Sequence, residues 1–150
     1  MPSNRKRRLR LQDYLPYRLS VAANAVSRRI ARAYEDRFGL KIAQWRLMAV
    51  LADEGPLTQQ SLCGRTLMDK VTVMRAAQAL VRRGLLRRLP NPADGRSHRL
   101  TLTRAGERVY HDIVPLALEH EARMLRGMGA VDVARLERWL RQLERTAQGP

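Results

Sequence analysis

Apolar residues recur at helical spacing through much of this chain. Leu19, Ala22, Ala23, Val26, Ile30, Ala33 and Tyr34 form one stripe. They predict a long helix over residues 17–37, with Arg18, Arg28, Arg29, Arg32 and Arg37 on its other positions. Residues 11–15 read as one helical turn before it, Pro16 suits its opening, and Gly39 stops it. A second helix is predicted over 42–53, with Trp45, Met48, Ala49, Leu51 and Ala52 packing, ended by Gly55-Pro56. Thr58 caps a short third helix over 59–66 whose inward residues are Leu62 and Cys63. Asp69 caps a fourth over 70–83, and Gly84 closes it.

The period then changes. Residues 85–89 and 97–102 read as two antiparallel strands, joined through Pro90, Asn91, Pro92, Asp94 and Gly95. Thr103 caps a fifth helix from 104 to about 126, with Val109, Ile113, Leu116 and Leu125 apolar. Pro115 inside it predicts a kink or break near Val114. Gly127 and Gly129 separate a last helix over 131–146, striped by Val133, Leu136, Leu140 and Leu143 with Trp139 alongside. Helix, turn, helix and hairpin in that order predict a mainly α fold with a small β-hairpin wing, a winged helix-turn-helix. The outer helices carry more apolar surface than a monomer of this size covers easily, which predicts a helical dimerisation domain. The expected division is a basic arm over 1–10, a dimerisation domain over 11–40 and 103–150, and the winged module over 41–102.

Charge sharpens that picture. The formal net charge is +15, and all but three of the 29 basic residues are arginine. Arginine forks match phosphate and guanine edges, so a polyanionic partner is expected, nucleic acid or an anionic membrane surface. Solubility or a genome's arginine bias would give the same excess. Residues 1–10 are open to two readings, a solubilising tail or an arm on DNA phosphates.

The phase of the fourth helix is more telling. Val73, Ala76, Ala77 and Leu80 share one face; Val71, Arg75, Gln78 and Arg82 share the opposite one, flanked by Thr72 and Met74. No acidic residue occurs between Lys70 and Arg83. Such a face suits a polyanion, and Val71 and Met74 suit thymine methyl groups. On the hairpin, Arg87, Arg88, Arg96, His98 and Arg99 cluster. Arg96 is expected at a minor groove, held by an ion pair with Asp94; a solvated basic loop is the plain alternative.

Other functions find little support. One cysteine, Cys63, excludes an intramolecular disulfide and a multi-cysteine zinc cluster, and a buried packing role is expected for it. His98, His111 and His120 are scattered, with no nucleophile, phosphate loop or metal-ligand spacing, so neither catalysis nor a metal or other cofactor is expected. No apolar run approaches a membrane span, no secretory leader is evident, and the basic residues are spread over several elements; a cytoplasmic protein without a membrane partner is expected.

Four segments together resemble the multiple-antibiotic-resistance-regulator (MarR) family of bacterial transcription factors. They are Asp69-Lys70-Val71-Thr72-Val73-Met74-Arg75, Arg82-Arg83-Gly84-Leu85, Asn91-Pro92-Ala93-Asp94-Gly95-Arg96-Ser97 and Leu102-Thr103-Arg104-Ala105-Gly106. The similarity runs from about Tyr17 to the C-terminus. It implies a homodimer on a short inverted-repeat operator in double-stranded DNA, usually as a repressor. It implies that Lys70, Val71, Thr72, Met74 and Arg75 read bases and phosphates, with Arg96 and Asp94 in the wing. Val71 and Met74 depart from the family's frequent small hydroxyl residues, which bears on the operator sequence and not on the docking mode. Relatives often release DNA on binding a small aromatic acid, phenol or acyl-thioester, and Ser20, Asn24, Trp45, Arg46 and His111 are the expected lining here. Trp45 and His111 also suit plain packing. Cys63 does not sit where peroxide-sensing relatives carry their cysteine. The expected function is a ligand-responsive, sequence-specific repressor; the alternative is a non-specific architectural DNA binder.

Overall fold

A computed structural model describes residues 8–149. Residues 1–7, most of the expected basic arm, lie outside the described residues. The chain packs as two compact units, one ending at Ile113 and the other beginning at Val114.

In the first unit a 3-10 turn, Leu11–Asp13, leads into α1, Leu15–Phe38, with Pro16 in its first turn. Gly39 ends it in the left-handed region at φ 62°, where a side chain would be strained. Helix α2 spans Ile42–Glu54 and α3 spans Gln59–Thr66. Helix α4 spans Lys70–Arg82, and Gly84 follows it at φ 71°. Strands β2, Leu86–Pro90, and β3, His98–Leu102, form the wing. A two-residue strand unforeseen in the sequence, β1 at Leu57–Thr58, pairs with the free edge of β3. The antiparallel sheet therefore runs β1-β3-β2, with Leu86 opposite Leu102 and Arg88 opposite Leu100.

The core lies where α2, α3, α4 and the sheet meet. Leu40, Leu47, Met48, Leu62, Val73, Ala77, Leu80, Leu86, Leu100 and Ile113 are all fully or almost fully buried. The inner face of α4 is the one its sequence phase predicts. On α2 the phase is shifted: Gln44, Leu47, Met48 and Leu51 face inward, whereas Ala52 is exposed and Trp45 and Ala49 are half-buried. Cys63 is likewise half-buried, not buried, because α3 points only Leu62 squarely inward.

Two further contacts lock the module. The Arg83 guanidinium donates to the carbonyls of Gly39 and Phe38, both at 2.9 Å, so the exit of α4 caps the last turn of α1. Thr103 Oγ1 donates to Gly84 O at 2.6 Å and accepts from Gly106 N at 3.0 Å, which fixes the start of helix α5, Arg104–Met124, against that same exit. Helix α5 is continuous through Pro115, so the expected break is absent. A proline costs one backbone hydrogen bond and crowds the preceding turn, and the remaining ladder carries the helix across.

The second unit comprises the rest of α5 and helix α6, Ala130–Gln148. Helix α6 buries no residue, and Val131, Trp139, Leu140 and Leu143 are exposed on it. No helix among the described residues is long and apolar enough to cross a membrane.

Candidate nucleic-acid interface

Helix α4 presents the site. Asp69 Oδ1 accepts the Thr72 N–H at 2.8 Å and its Oδ2 accepts the Thr72 hydroxyl at 2.6 Å. The Thr72 hydroxyl proton is thus committed to the cap. These two bonds, the hydroxyl first, hold the Asp69 carboxyl below its ordinary value. The sign follows directly. The cap's contribution is complete above the usual aspartate value of about 3.9 and is lost as pH falls through the lower folded value. Asp69→Asn keeps an acceptor without the charge. Its thermal midpoint should vary less than the parent's between about pH 5 and 2; equal acid sensitivity of the two proteins would refute this.

Outward from α4 stand Val71, Met74, Arg75, Gln78 and Arg82, all exposed. The turn before α4 puts Leu67 in the left-handed region at φ 55°, unusual for a branched side chain, and leaves it exposed.

A cleft of about 610 Å³ opens between the start of α4 and the wing. It gathers Lys70, Asp94 and Arg96 with Gln59, Gln60, Arg88 and His98. Strand register explains the sorting of the hairpin's basic groups. Arg88 and His98 stand on the face that carries Leu86, Leu100 and Leu102, whereas Arg87 and Arg99 stand on the other. Gln59 and Gln60 had no separate signal in the sequence; only the fold turns the start of α3 toward the wing.

The wing turn is tightly knit. Asn91 Nδ2 donates to Ser97 Oγ at 2.8 Å, and the Arg96 backbone N–H donates to Asp94 Oδ1 at 2.9 Å. This corrects the expected ion pair. Asp94 fixes the backbone of Arg96, and the Arg96 guanidinium is in no salt bridge among the described residues. A two-residue separation favours that local backbone bond over a long side-chain reach.

A second cleft, about 440 Å³, lies between the start of α2 and α4. It gathers Thr72, Arg75 and Arg82 with Lys41, Ala43 and Gln44. A third joins Gln59, Gln60, Cys63 and Lys70, and a fourth is lined by residues 8–10 and 13–16.

The expected ligand-lining residues are not gathered in the same way. Ser20, Asn24, Arg46 and His111 are exposed, and Ser20 Oγ donates to Pro16 O at 3.2 Å. Trp45 is half-buried between the rings of Tyr34, 5.5 Å away edge-on, and Tyr110, 5.6 Å away and stacked; His111 continues this run against Tyr110. Burial pushes the Tyr34 hydroxyl above its ordinary pKa. None of the five lines the four clefts above. Among the described residues no group of three or more His, Cys, Asp or Glu could hold a metal ion.

The module matches known proteins in sequence and shape. The MarR family model matches residues 38–97, from the end of α1 to the wing turn. Over that segment the chain is similar to the MarR family. Solved MarR structures extend the likeness beyond that segment. A MarR family transcriptional regulator from Silicibacter pomeroyi is 26% identical, with a TM-score of 0.79, covering 91% of each chain. A MarR/EmrR family transcriptional regulator from Acinetobacter sp. is 20% identical with a TM-score of 0.86, covering 95% of this chain and all of that one. BpsR from Bordetella bronchiseptica, whose DNA binding is regulated by 6-hydroxynicotinic acid, is 22% identical with a TM-score of 0.73, covering 85% of this chain and 99% of its own. No curated protein matches the chain. The fold is that of MarR-family transcriptional regulators, some of which respond to ligands.

Proposed function

We propose that this chain is a homodimeric, sequence-specific repressor that binds an inverted-repeat operator in double-stranded DNA and releases it on binding a small aromatic ligand. The observation that carries the reading is the outward face of α4. It holds Val71, Met74, Arg75, Gln78 and Arg82 with no acid, and basic clefts border it. A helix of this width fits a major groove, where Gln78 and Arg75 can reach base edges and Val71 and Met74 thymine methyls. Lys70 and Thr72 stand at its N-terminal end. Arg96, on a turn fixed by Asp94, reaches for the adjacent minor groove.

Residues 41–102 form the DNA-binding module in this reading, and residues 11–40 and 103–150 form the dimerisation domain. Exposed apolar residues support it: Leu15, Leu19, Val21 and Val26 on α1, and Val131, Trp139, Leu140 and Leu143 on α6. A second copy would cover both stripes. For the ligand, Trp45 and His111 supply rings in one aromatic run, Arg46 a countercharge for an acid group, and Ser20 and Asn24 polar partners. The regulation of BpsR by 6-hydroxynicotinic acid favours an aromatic acid. The ligand acts by its preference for a state whose two α4 helices are wrongly spaced for the operator. A cytoplasmic location follows from such a role.

The test is selection of bound duplexes from genomic fragments, followed by competition against random duplex at fixed salt. A specific regulator prefers its selected site by at least about 10³. Equal binding to all fragments would replace this reading with the architectural one.

A further inference from the structure

We infer that the cleft between the start of α2 and α4 is the seat of one DNA backbone phosphate, and that Arg82 serves there as a positioning residue and not as a reader of bases. The inference rests on the DNA-binding reading above and assigns a new part of the interface within it.

Three observations converge on the cleft. First, it holds Lys41, Arg75 and Arg82, and no acidic residue lines it. Second, it lies at the N-terminus of a 13-residue helix whose N-cap is Lys41. A lysine offers no acceptor, so the first-turn N–H groups are left without a side-chain cap, and the positive end of the helix dipole is not neutralised. Third, Gln44 is a polar side chain in the core, only 9% exposed, and it lines the cleft. Its Oε1 accepts the Lys41 N–H at 3.0 Å, which fixes the carboxamide at the cleft wall. Three cations beside open helix N–H groups call for an anion with several oxygens.

The helical phase says which anion. At 100° per residue, Thr72 and Ala79 fall on one flank of the outward face of α4, and Lys70 falls on the other. The α2 cleft opens on the first flank and the wing cleft on the second. A helix in a major groove has a phosphate strand on each side, and the groove is about 12 Å wide. Two basic clefts, one per flank, match two backbone strands. Val71 and Gln78 remain between them for the base edges, Arg75 borders both the bases and the seat, and Arg82 leans toward α2.

Arg82→Ala and Gln44→Glu test the assignment. Arg82 is exposed, so its loss should leave the thermal midpoint unchanged. Gln44→Glu keeps the acceptor for the Lys41 N–H and places a carboxylate in the seat. The selected duplex and a random duplex of equal length are titrated across a range of salt. Arg82→Ala should weaken both by the same factor and reduce the slope of log affinity against log salt by about one. Gln44→Glu should weaken both by about tenfold or more. A neutral methylphosphonate, placed at each backbone position in turn, should weaken the parent at one position per half-site where Arg82→Ala loses less than the parent does. The inference is overturned if Arg82→Ala changes the preferred base with an unchanged slope, or if Gln44→Glu binds like the parent. A parent without sequence preference would sink the regulator reading alone, because every duplex carries phosphates and the seat still registers. A parent that binds no duplex would sink both.

Discussion

Gly106→Ala should cost the fold about 3 kcal/mol, the upper part of what overpacking a dense core usually costs. The reason is local. A Cβ on Gly106 would fall inside van der Waals contact with the carbonyl oxygen of Leu85 and 3.1 Å from Leu102 Cδ2. That carbonyl is not free to move, because it accepts the Thr103 N–H at 3.0 Å. The start of α5, the exit of α4 and the base of the wing meet at this point, so relief in one strains another. Urea unfolding at constant m reads the loss. A midpoint like the parent's would show that the backbone can yield there.

The second large effect is expected at Ile113. It is fully buried and is the last residue of the first unit. Truncation to alanine should cost about 2–5 kcal/mol, through lost burial and the cavity left behind, and truncation to valine about 1 kcal/mol. The two tryptophans make the measurement specific, since Trp45 lies in the first unit and Trp139 in the second. In a Trp139→Phe background, Trp45 emission should report an earlier unfolding of Ile113→Ala than of its own parent. Coincident curves would mean that α5 is held to the winged module by other contacts.

Much of this was legible in the sequence, for identifiable reasons. Helix α3 falls where Thr58 and the polar spacing put it, and α4 ends within a residue of expectation, because caps and glycines are chemical signals confined to one position. The buried face of α4 was readable because its two faces differ so sharply in polarity. Helix α2 misled because Trp45 and two alanines look apolar, yet the stripe that fits the core passes through Gln44. No pattern of alternation exists in two residues, so β1 left no trace, although Leu57 and Thr58 complete the sheet. Of the kink or break that Pro115 suggested, the break is absent because the helix absorbs the loss of one hydrogen bond. Among the site residues, the sequence offered the arginines but not their division between clefts. That division depends on which flank of α4 meets α2, a matter of tertiary packing.

The two bonds between Arg83 and the last carbonyls of α1 couple the pose of α4 to the end of that helix. At about 1.5 Å per residue, the 13 residues of α4 span about 20 Å from the anchored exit to the start beside Lys70. A tilt of about 5° at the anchor would sweep that start through about 1.7 Å. Hydrogen bonds tolerate only about 0.5 Å of such travel. A displacement at the end of α1 would therefore reach the far end of α4 enlarged, moving Val73 and its core neighbours with it, and in the proposed reading would take the outward side chains out of register with the bases.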